Sequence, residues 1–303
     1  MTKARGGGRP VPRPPAPLLS MTRRKPVPML TVETRHAVDA ATARGFDTAA
    51  LRKHFHVGGI FVPGEIRLIY THYDRMIVGG AVPAAGGVLT LDEVRECGTA
   101  SVLDRREMVV VNIGGDGAVT AGGETHAMVK GDMLYLGRGA GPVGFSGAGR
   151  FYILSAPAHA THPTRLIRIA EAATVTLGSA ETSNARTIHQ FVHPDVMTAC
   201  QLVVGMTRLE PGSVWNTMPA HVHDRRMEAY LYIDLPDNAR AIHLMGEPDE
   251  TRHLVLANEE GAISPPWSIH SGAGTSAYAF IWAMAGDNVD YKDVEVVAMA
   301  DLR

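Results

Sequence analysis

Short apolar or alternating runs, separated by glycine-bearing turns, dominate this chain and set its fold class. Ile66 to Tyr70, Met108 to Ile113, Met133 to Leu136, Phe151 to Leu154, Leu202 to Leu209, Ala229 to Ile233, Ala241 to Met245 and Tyr278 to Met284 have the length of strands. Gly79-Gly80, Gly114-Gly115-Asp116-Gly117, Gly122-Gly123, Pro211-Gly212 and Gly272-Ala273-Gly274 punctuate them. Such spacing predicts an all-β sandwich or barrel. One alanine-rich stretch, residues 37–54, predicts a short helix.

The pattern also repeats. Asp104 to Ile113 (DRREMVVVNI) echoes Asp224 to Ile233 (DRRMEAYLYI), and Lys130-Gly131-Asp132-Met133 parallels Glu260-Gly261-Ala262-Ile263. Ser146-Gly147-Ala148-Gly149, ahead of Phe151, resembles Ser271-Gly272-Ala273-Gly274 ahead of Ala279. Two copies of one β-domain account for the 303 residues, with an N-terminal unit expected over 29–170 and a C-terminal one over 171–303. The strand pattern lapses within 157–185, where the linker is expected. Residues 1–28 are rich in Pro, Gly and Arg and are expected to be a flexible basic tail, with Met21 and Met29 as later possible starts. The tail lacks the apolar core of a signal peptide.

The densest chemistry lies in Pro219-Ala220-His221-Val222-His223-Asp224-Arg225-Arg226-Met227-Glu228, with Ser268-Ile269-His270-Ser271-Gly272 further on. In a strand, residues two apart face the same way, so His221 and His223 present their rings side by side. Glu228 and His270, from neighbouring strands, complete a set of three imidazoles and a carboxylate that suits zinc, iron, manganese or nickel. A lone histidine among the 14 in the chain is more often a surface or core residue than a ligand. The conjunction of four in a repeated β-unit favours a metal. Aligning Glu107 with Glu228 sets Ala100 and Val102 opposite His221 and His223, and aligning Gly131 with Gly261 sets Ala140 opposite His270. The first copy is thus expected to lack the ligands and to serve packing.

Composition closes off other classes. A formal net charge of -2 offers no electrostatic case for nucleic acid. The longest apolar run, Ala277 to Ala285, falls well short of the roughly 18 residues of a membrane span, so no membrane partner is expected. Only Cys97 and Cys200 are present, too few for a disulfide framework and in keeping with a reducing cytoplasm.

H-x-H-x4-E with a distant histidine is similar to the two metal-binding motifs of the cupin superfamily, although Pro265-Pro266-Trp267 stands where a Pro-x-Gly usually precedes the second motif's histidine. Trp215 to Glu228, Met245 to His253 and Ile263 to Gly272 resemble the 5-keto-4-deoxyuronate isomerase family, and so do Tyr70 to Gly80, Ser155 to His159 and the terminal Asp301-Leu302-Arg303. The resemblance spans residue 30 or so to Arg303 and implies two tandem cupin-like barrels with a few short helices. It also implies one zinc ion per subunit on His221, His223, Glu228 and His270, and a homohexamer. The implied reaction is the aldose-ketose isomerisation of 5-dehydro-4-deoxy-D-glucuronate, a small uronate, in pectin breakdown.

Such a reaction needs a proton shuttle, for which His243, His253 and Glu247 are candidates beside metal-bound water. It also needs a cation for the carboxylate, for which Arg225 and Arg226 stand next to the H-x-H pair, one of them facing inward. Trp215, Thr217 and Trp267 flank the ligands as pocket-shaping residues. Each has a plainer reading as a structural side chain, and Arg105 and Arg106 keep the arginine pair in the copy without ligands. Alternative activities on the same ligands are the 5-deoxyglucuronate isomerase of inositol catabolism, an iron-dependent cupin dioxygenase and a non-enzymatic sugar-binding cupin.

Overall fold

Arg106–Asn112 shows how the repeat builds its sheets: every residue of this strand is buried, and its side chains go alternately to two different cores. Met108 and Val110 join one apolar cluster with Leu89, Leu134 and Phe145, while Val109 and Val111 join another with Tyr135 and Val204. A strand covered on both faces reads as a continuous apolar run, which is why MVVV carries no alternation. The computed structural model describes residues 1–2, 29–287 and 293–303; apart from Met1 and Thr2, the expected tail lies outside them.

Two seven-stranded sheets carry the repeat. The first runs in the order Leu30–Arg35, Glu65–Thr71, Ile77–Val82, Phe151–Pro157, Arg106–Asn112, Met133–Leu136, Arg165–Ile167. The second runs Ala173–Leu177, Arg186–Val192, Val203–Leu209, Ala279–Gly286, Arg226–Ile233, Gly261–Ser264, His56–Val57. A four-stranded sheet (Val88–Leu91, Val143–Gly147, Gly117–Ala121, Glu124–Met128) accompanies the first. A five-stranded one (Glu250–Leu256, Ala241–Glu247, His270–Gly274, Trp215–Val222, Glu295–Val296) accompanies the second. The all-β expectation of two tandem cupin-like sandwiches with few helices is met, and each of the eight strand segments read from the sequence falls in a strand to within one residue at its ends.

The last strand of each large sheet comes from the far side of the chain's midpoint. Arg165–Ile167 edges the first sheet beside Met133–Leu136, and His56–Val57 takes the same place in the second beside Gly261–Ser264. The segment leading to His56 goes with it: α1 (Ala40–Arg44) packs on Ala241–Glu247, and α2 (Thr48–Phe55) on Glu250–Leu256 and Gly261–Ser264. Two helices stand where one is predicted. Asp39 and Asp47 each accept from a backbone N–H three residues on, at 2.8 Å, so each starts a helix of its own.

The register corrects the alignment of the two copies. Met108 pairs with Leu136 and Ser155, as Glu228 pairs with Ser264 and Met284, so Met108 occupies the place of Glu228. Likewise Gly147 pairs with Gly117 as Gly274 pairs with Ala241, and counting back sets Val143, not Ala140, opposite His270. DRREM and DRRME differ by one exchange, and in a strand a shift of one residue moves a side chain to the opposite face. Glu107 therefore leaves the barrel interior and faces the junction of the two units. There it accepts from the Tyr135 hydroxyl at 2.7 Å and from the backbone N–H groups of Cys200, Gln201 and Leu202 at 2.8, 2.7 and 2.7 Å.

Glu107→Ala leaves these buried donors without their acceptor and is expected to lower stability by about 3 kcal/mol, read as a shift in the denaturant midpoint. Metal content should stay unchanged, because Glu107 lies at the junction of the two units, outside the barrel interior where the four side chains converge.

Candidate metal centre

Three strands of the second barrel deliver four side chains to one point. Trp215–Val222 carries His221 near its end, with His223 just beyond; Arg226–Ile233 carries Glu228; and His270 begins His270–Gly274, directly across from His221. The Nε2 atoms of His221 and His223 lie 3.1 Å apart, and those of His270 and His221 2.9 Å apart. Glu228 Oε2 lies 2.7 Å from His270 Nε2 and 3.4 Å from His223 Nε2. All four donors fall within 4.8 Å of one another. A tetrahedral ion with bonds of about 2.1 Å would set its ligand atoms about 3.4 Å apart, so the cluster is near the right size and only slightly tight.

Electrostatics agree with the geometry. Burial, reinforced by the neighbouring His270 ring, pushes His221 down to about 3, so at neutral pH its imidazole is uncharged and able to ligate. Burial pushes the Glu228 carboxyl up, but the His270 and His223 rings outweigh it and hold the group well below the usual carboxylate range. The uncharged His221 imidazole and an ionised carboxylate, aimed with two further ring nitrogens at one point, form a donor set for a divalent cation.

A further carboxylate stands behind the ligands. Asp293 Oδ1 lies 3.3 Å from His223 Nδ1, and the buried Arg226 guanidinium holds Asp293 through Nε at 3.0 Å to Oδ2 and through Nη2 to Oδ1. An Nδ1–H donated to Asp293 leaves Nε2 of His223 with its lone pair toward the metal position. The strand Glu295–Val296 then pairs with Trp215–Val222 and brings Val296 opposite His221.

His221, His223 and Glu228 line an open cavity together with Thr217, Tyr230 and Arg186. A few polar groups set among apolar ones such as Ile188, Phe280 and Met284 suit a small-molecule ligand. Thr217, with φ 51°, occupies a left-handed conformation rare for a β-branched residue, and its hydroxyl sits 3.2 Å from that of Tyr230.

The other residues singled out from the sequence are dispersed. Of Arg225 and Arg226, the first is exposed in the turn before the strand, beside Asp287 at 3.7 Å, and the second opens the strand and is committed to Asp293; neither lines the cavity. Trp267 edges α2, with its ring edge-on to Phe55 and its N–H donated to the Val38 carbonyl at 3.1 Å. Glu247 lies in that same groove, paired with Arg44 at 2.6 Å. Trp215 is half-buried outside the cavity wall. His253 is exposed on a strand whose neighbour Leu254 is the one turned inward.

His243 is inside the barrel but behind the wall, 2.9 Å from the Tyr232 hydroxyl and 3.2 Å from that of Ser264. Burial, then the adjacent His270, pushes it down to about 3. Arg186, Tyr230 and Asp293 escaped the sequence reading. Arg186 and Tyr230 sit in ordinary strand patterns, and Asp293 is distant in the chain from the ligands it supports.

A sequence model of the KduI/IolB family matches residues 62–299. The 4-deoxy-L-threo-5-hexosulose-uronate ketol-isomerase of Cereibacter sphaeroides (strain ATCC 17029 / ATH 2.4.9) is 68% identical over 275 residues, which are 91% of this chain and 100% of that protein. The protein of the same name from Agrobacterium fabrum (strain C58 / ATCC 33970) is 62% identical over the same shares. Among solved structures, an IolB-like protein from Salmonella typhimurium LT2 superposes with a TM-score of 0.61 at 18% identity, over 73% of this chain and 86% of that one, a likeness of fold alone.

His270→Ala is expected to abolish stoichiometric metal binding, measured by elemental analysis of the purified protein. Asp293→Ala should weaken metal affinity by about 10- to 100-fold in chelator competition while the fold persists.

Proposed function

The chain belongs to the KduI/IolB family, and from that premise we propose that it is a 4-deoxy-L-threo-5-hexosulose-uronate ketol-isomerase whose chemistry takes place at the His221, His223, Glu228 and His270 cluster. The observation that carries the reading is the convergence of these four side chains within 4.8 Å of one another, three of them lining one cavity, in a chain that covers its ketol-isomerase relatives from end to end. Relatives of that name at 68% and 62% identity weigh against the inositol-pathway isomerase and the dioxygenase.

The reaction turns 5-dehydro-4-deoxy-D-glucuronate into 3-deoxy-D-glycero-2,5-hexodiulosonate: a proton leaves C2, one is added at C1, and the carbonyl moves from C1 to C2. Zinc, one per subunit, is proposed as the ion, because it favours four-coordinate nitrogen and oxygen donors and a reaction with no net electron transfer needs no redox metal. Bound there, the ion would supply Lewis-acid stabilisation of the negative charge that develops on the C1 and C2 oxygens. The histidines and Glu228 hold that position; Asp293, anchored by Arg226, fixes the His223 ring.

For the proton we propose Tyr230, which lines the cavity and whose hydroxyl lies 3.2 Å from that of Thr217. His243, bonded to Tyr232 and Ser264, supports the wall from behind. His253 and Glu247 take no part in this reading, since one is exposed and the other is paired with Arg44. A division into units at 29–170 and 171–303, with α1, α2 and His56–Val57 crossing to the second, belongs to the same proposal. So do a homohexamer, which rests on the family resemblance, and a cytoplasmic setting in uronate catabolism, in keeping with two free cysteines.

Anaerobic incubation of zinc-replete protein with 5-dehydro-4-deoxyglucuronate should consume its aldehyde and yield 3-deoxy-D-glycero-2,5-hexodiulosonate, and chelation should stop it; no product from metal-replete protein would sink the isomerase reading. Tyr230→Phe should keep its metal and lose about 100-fold in kcat. His253→Ala should turn over like the parent protein, and a large loss there would return the shuttle to His253.

A further inference from the structure

The strand that carries His221 is longer than its neighbour requires. Asn216 pairs with Gly272 and His221 with His270, so five residues advance on Trp215–Val222 while two advance on His270–Gly274. In the first unit the same stretch is regular: Leu89 pairs with Phe145 and Leu91 with Val143, and all four belong to the closed apolar core. The second barrel thus carries three extra residues here, and the bulge they form sends Thr217, Met218 and Pro219 into the cavity wall.

Thr217 opens the bulge with φ 51°. Glycine or asparagine takes such a backbone at lower cost than a β-branched residue, so the turn itself gives no reason for a threonine. Its hydroxyl does. The preceding Asn216 is fully buried, and its Oδ1 accepts from the Tyr278 hydroxyl at 2.5 Å. That length belongs to O–H···O rather than N–H···O bonds, which sets the amide nitrogen toward Thr217. Asn216 Nδ2 donates to the Thr217 hydroxyl at 3.0 Å. An amide nitrogen accepts nothing, so Thr217 is the acceptor there and keeps its own hydrogen to give. The Tyr230 hydroxyl lies 3.2 Å away.

Tyr230 is placed beside the ligands by its own strand. It stands two residues after Glu228 on Arg226–Ile233 and so shares that ligand's face. Its ring centroid is 5.7 Å from that of His270, and it stacks on Phe280 at 4.9 Å. Ring packing fixes the plane of a phenol but not the direction of its O–H, which turns to suit its hydrogen-bond partners.

We propose that Thr217 is a positioning residue for the proton transfer: its hydroxyl, oriented by Asn216, donates to the Tyr230 oxygen and holds that group in register with the ligand cluster. The inference rests on the reading of Tyr230 as the proton carrier. The bulge is then the feature that turns a plain β-strand into part of the reaction site, since it brings Thr217 to the cavity and still returns His221 to its place opposite His270.

The test uses Thr217→Val, which keeps the branched shape without the hydroxyl, and Thr217→Ser, which keeps the hydroxyl, in the full-length zinc-loaded protein with metal content measured first. Thr217→Val should retain zinc and lower kcat by about 10- to 100-fold with KM within about 2-fold, and Thr217→Ser should recover most of the loss. In a Tyr230→Phe background Thr217→Val should cost less than about 2-fold more, because it acts through the missing hydroxyl. An unchanged kcat in Thr217→Val, loss of its zinc, or a full additional loss on top of Tyr230→Phe would overturn the assignment. Replacing the tyrosines with 3-fluorotyrosine gives a readout independent of turnover. The fluorine resonance that disappears in Tyr230→Phe should shift in Thr217→Val and stay near its parent position in Thr217→Ser; a resonance indifferent to both would remove Thr217 from the role. If Tyr230→Phe turns over like the parent, the reading of Tyr230 as proton carrier falls, and the same resonance still decides whether Thr217 holds it.

Discussion

The second barrel is organised around a buried carboxylate. Glu228 is 4% exposed in the middle of a strand whose every residue is buried, and an ionised group removed from water is tolerable only with partners around it. His270 and His223 are those partners, and His221 joins them through its neighbours' nitrogens. Behind them the same requirement recurs: buried Arg226 needs an anion, Asp293 supplies it, and the contact of Asp293 with His223 ties the C-terminal segment to the ligands. One burial thus fixes three strands and the returning C-terminal segment around a single point.

The first unit shows what the same scaffold does without that constraint. Met108 and Val143 stand where Glu228 and His270 stand, and together with Leu136 and Phe145 they belong to a closed apolar core. Its carboxylate, moved by one residue to Glu107, binds three backbone N–H groups of residues 200–202 and joins the two units. A transposition of Glu and Met therefore separates a ligand that faces a cavity from an anchor that faces a junction. Arg106 illustrates the same divergence: it donates to the Ser155 and Arg75 carbonyls, whereas its counterpart Arg226 holds Asp293.

How legible each feature is depends on how local its cause is. The strands follow from short apolar runs and glycine turns, and His221 and His223 share a face because strand geometry repeats every two residues. Their partnership with Glu228 and His270 is visible because the motif and the repeat stand together. Residues judged by nearness in sequence fare differently. Arg225 and Trp267 lie close to the ligands in the chain yet face solvent or the docking groove of the first helices. Nearness along a strand says little about which side of a twisted sheet a side chain reaches.

The sequence by itself determined an all-β duplicated chain with three histidines and a glutamate that could hold a metal in one copy, because these features are written in local periodicity and in residue types that few other chemistries use. Only the tertiary structure decided that Glu107 faces the junction, that Asp293 supports His223, and that Arg186 and Tyr230 line the cavity. Those facts depend on strand register and on segments far apart in the chain meeting in one barrel. The physical reason is that a side chain's chemistry is fixed by its covalent structure, whereas its partners are fixed by which face of which strand it occupies.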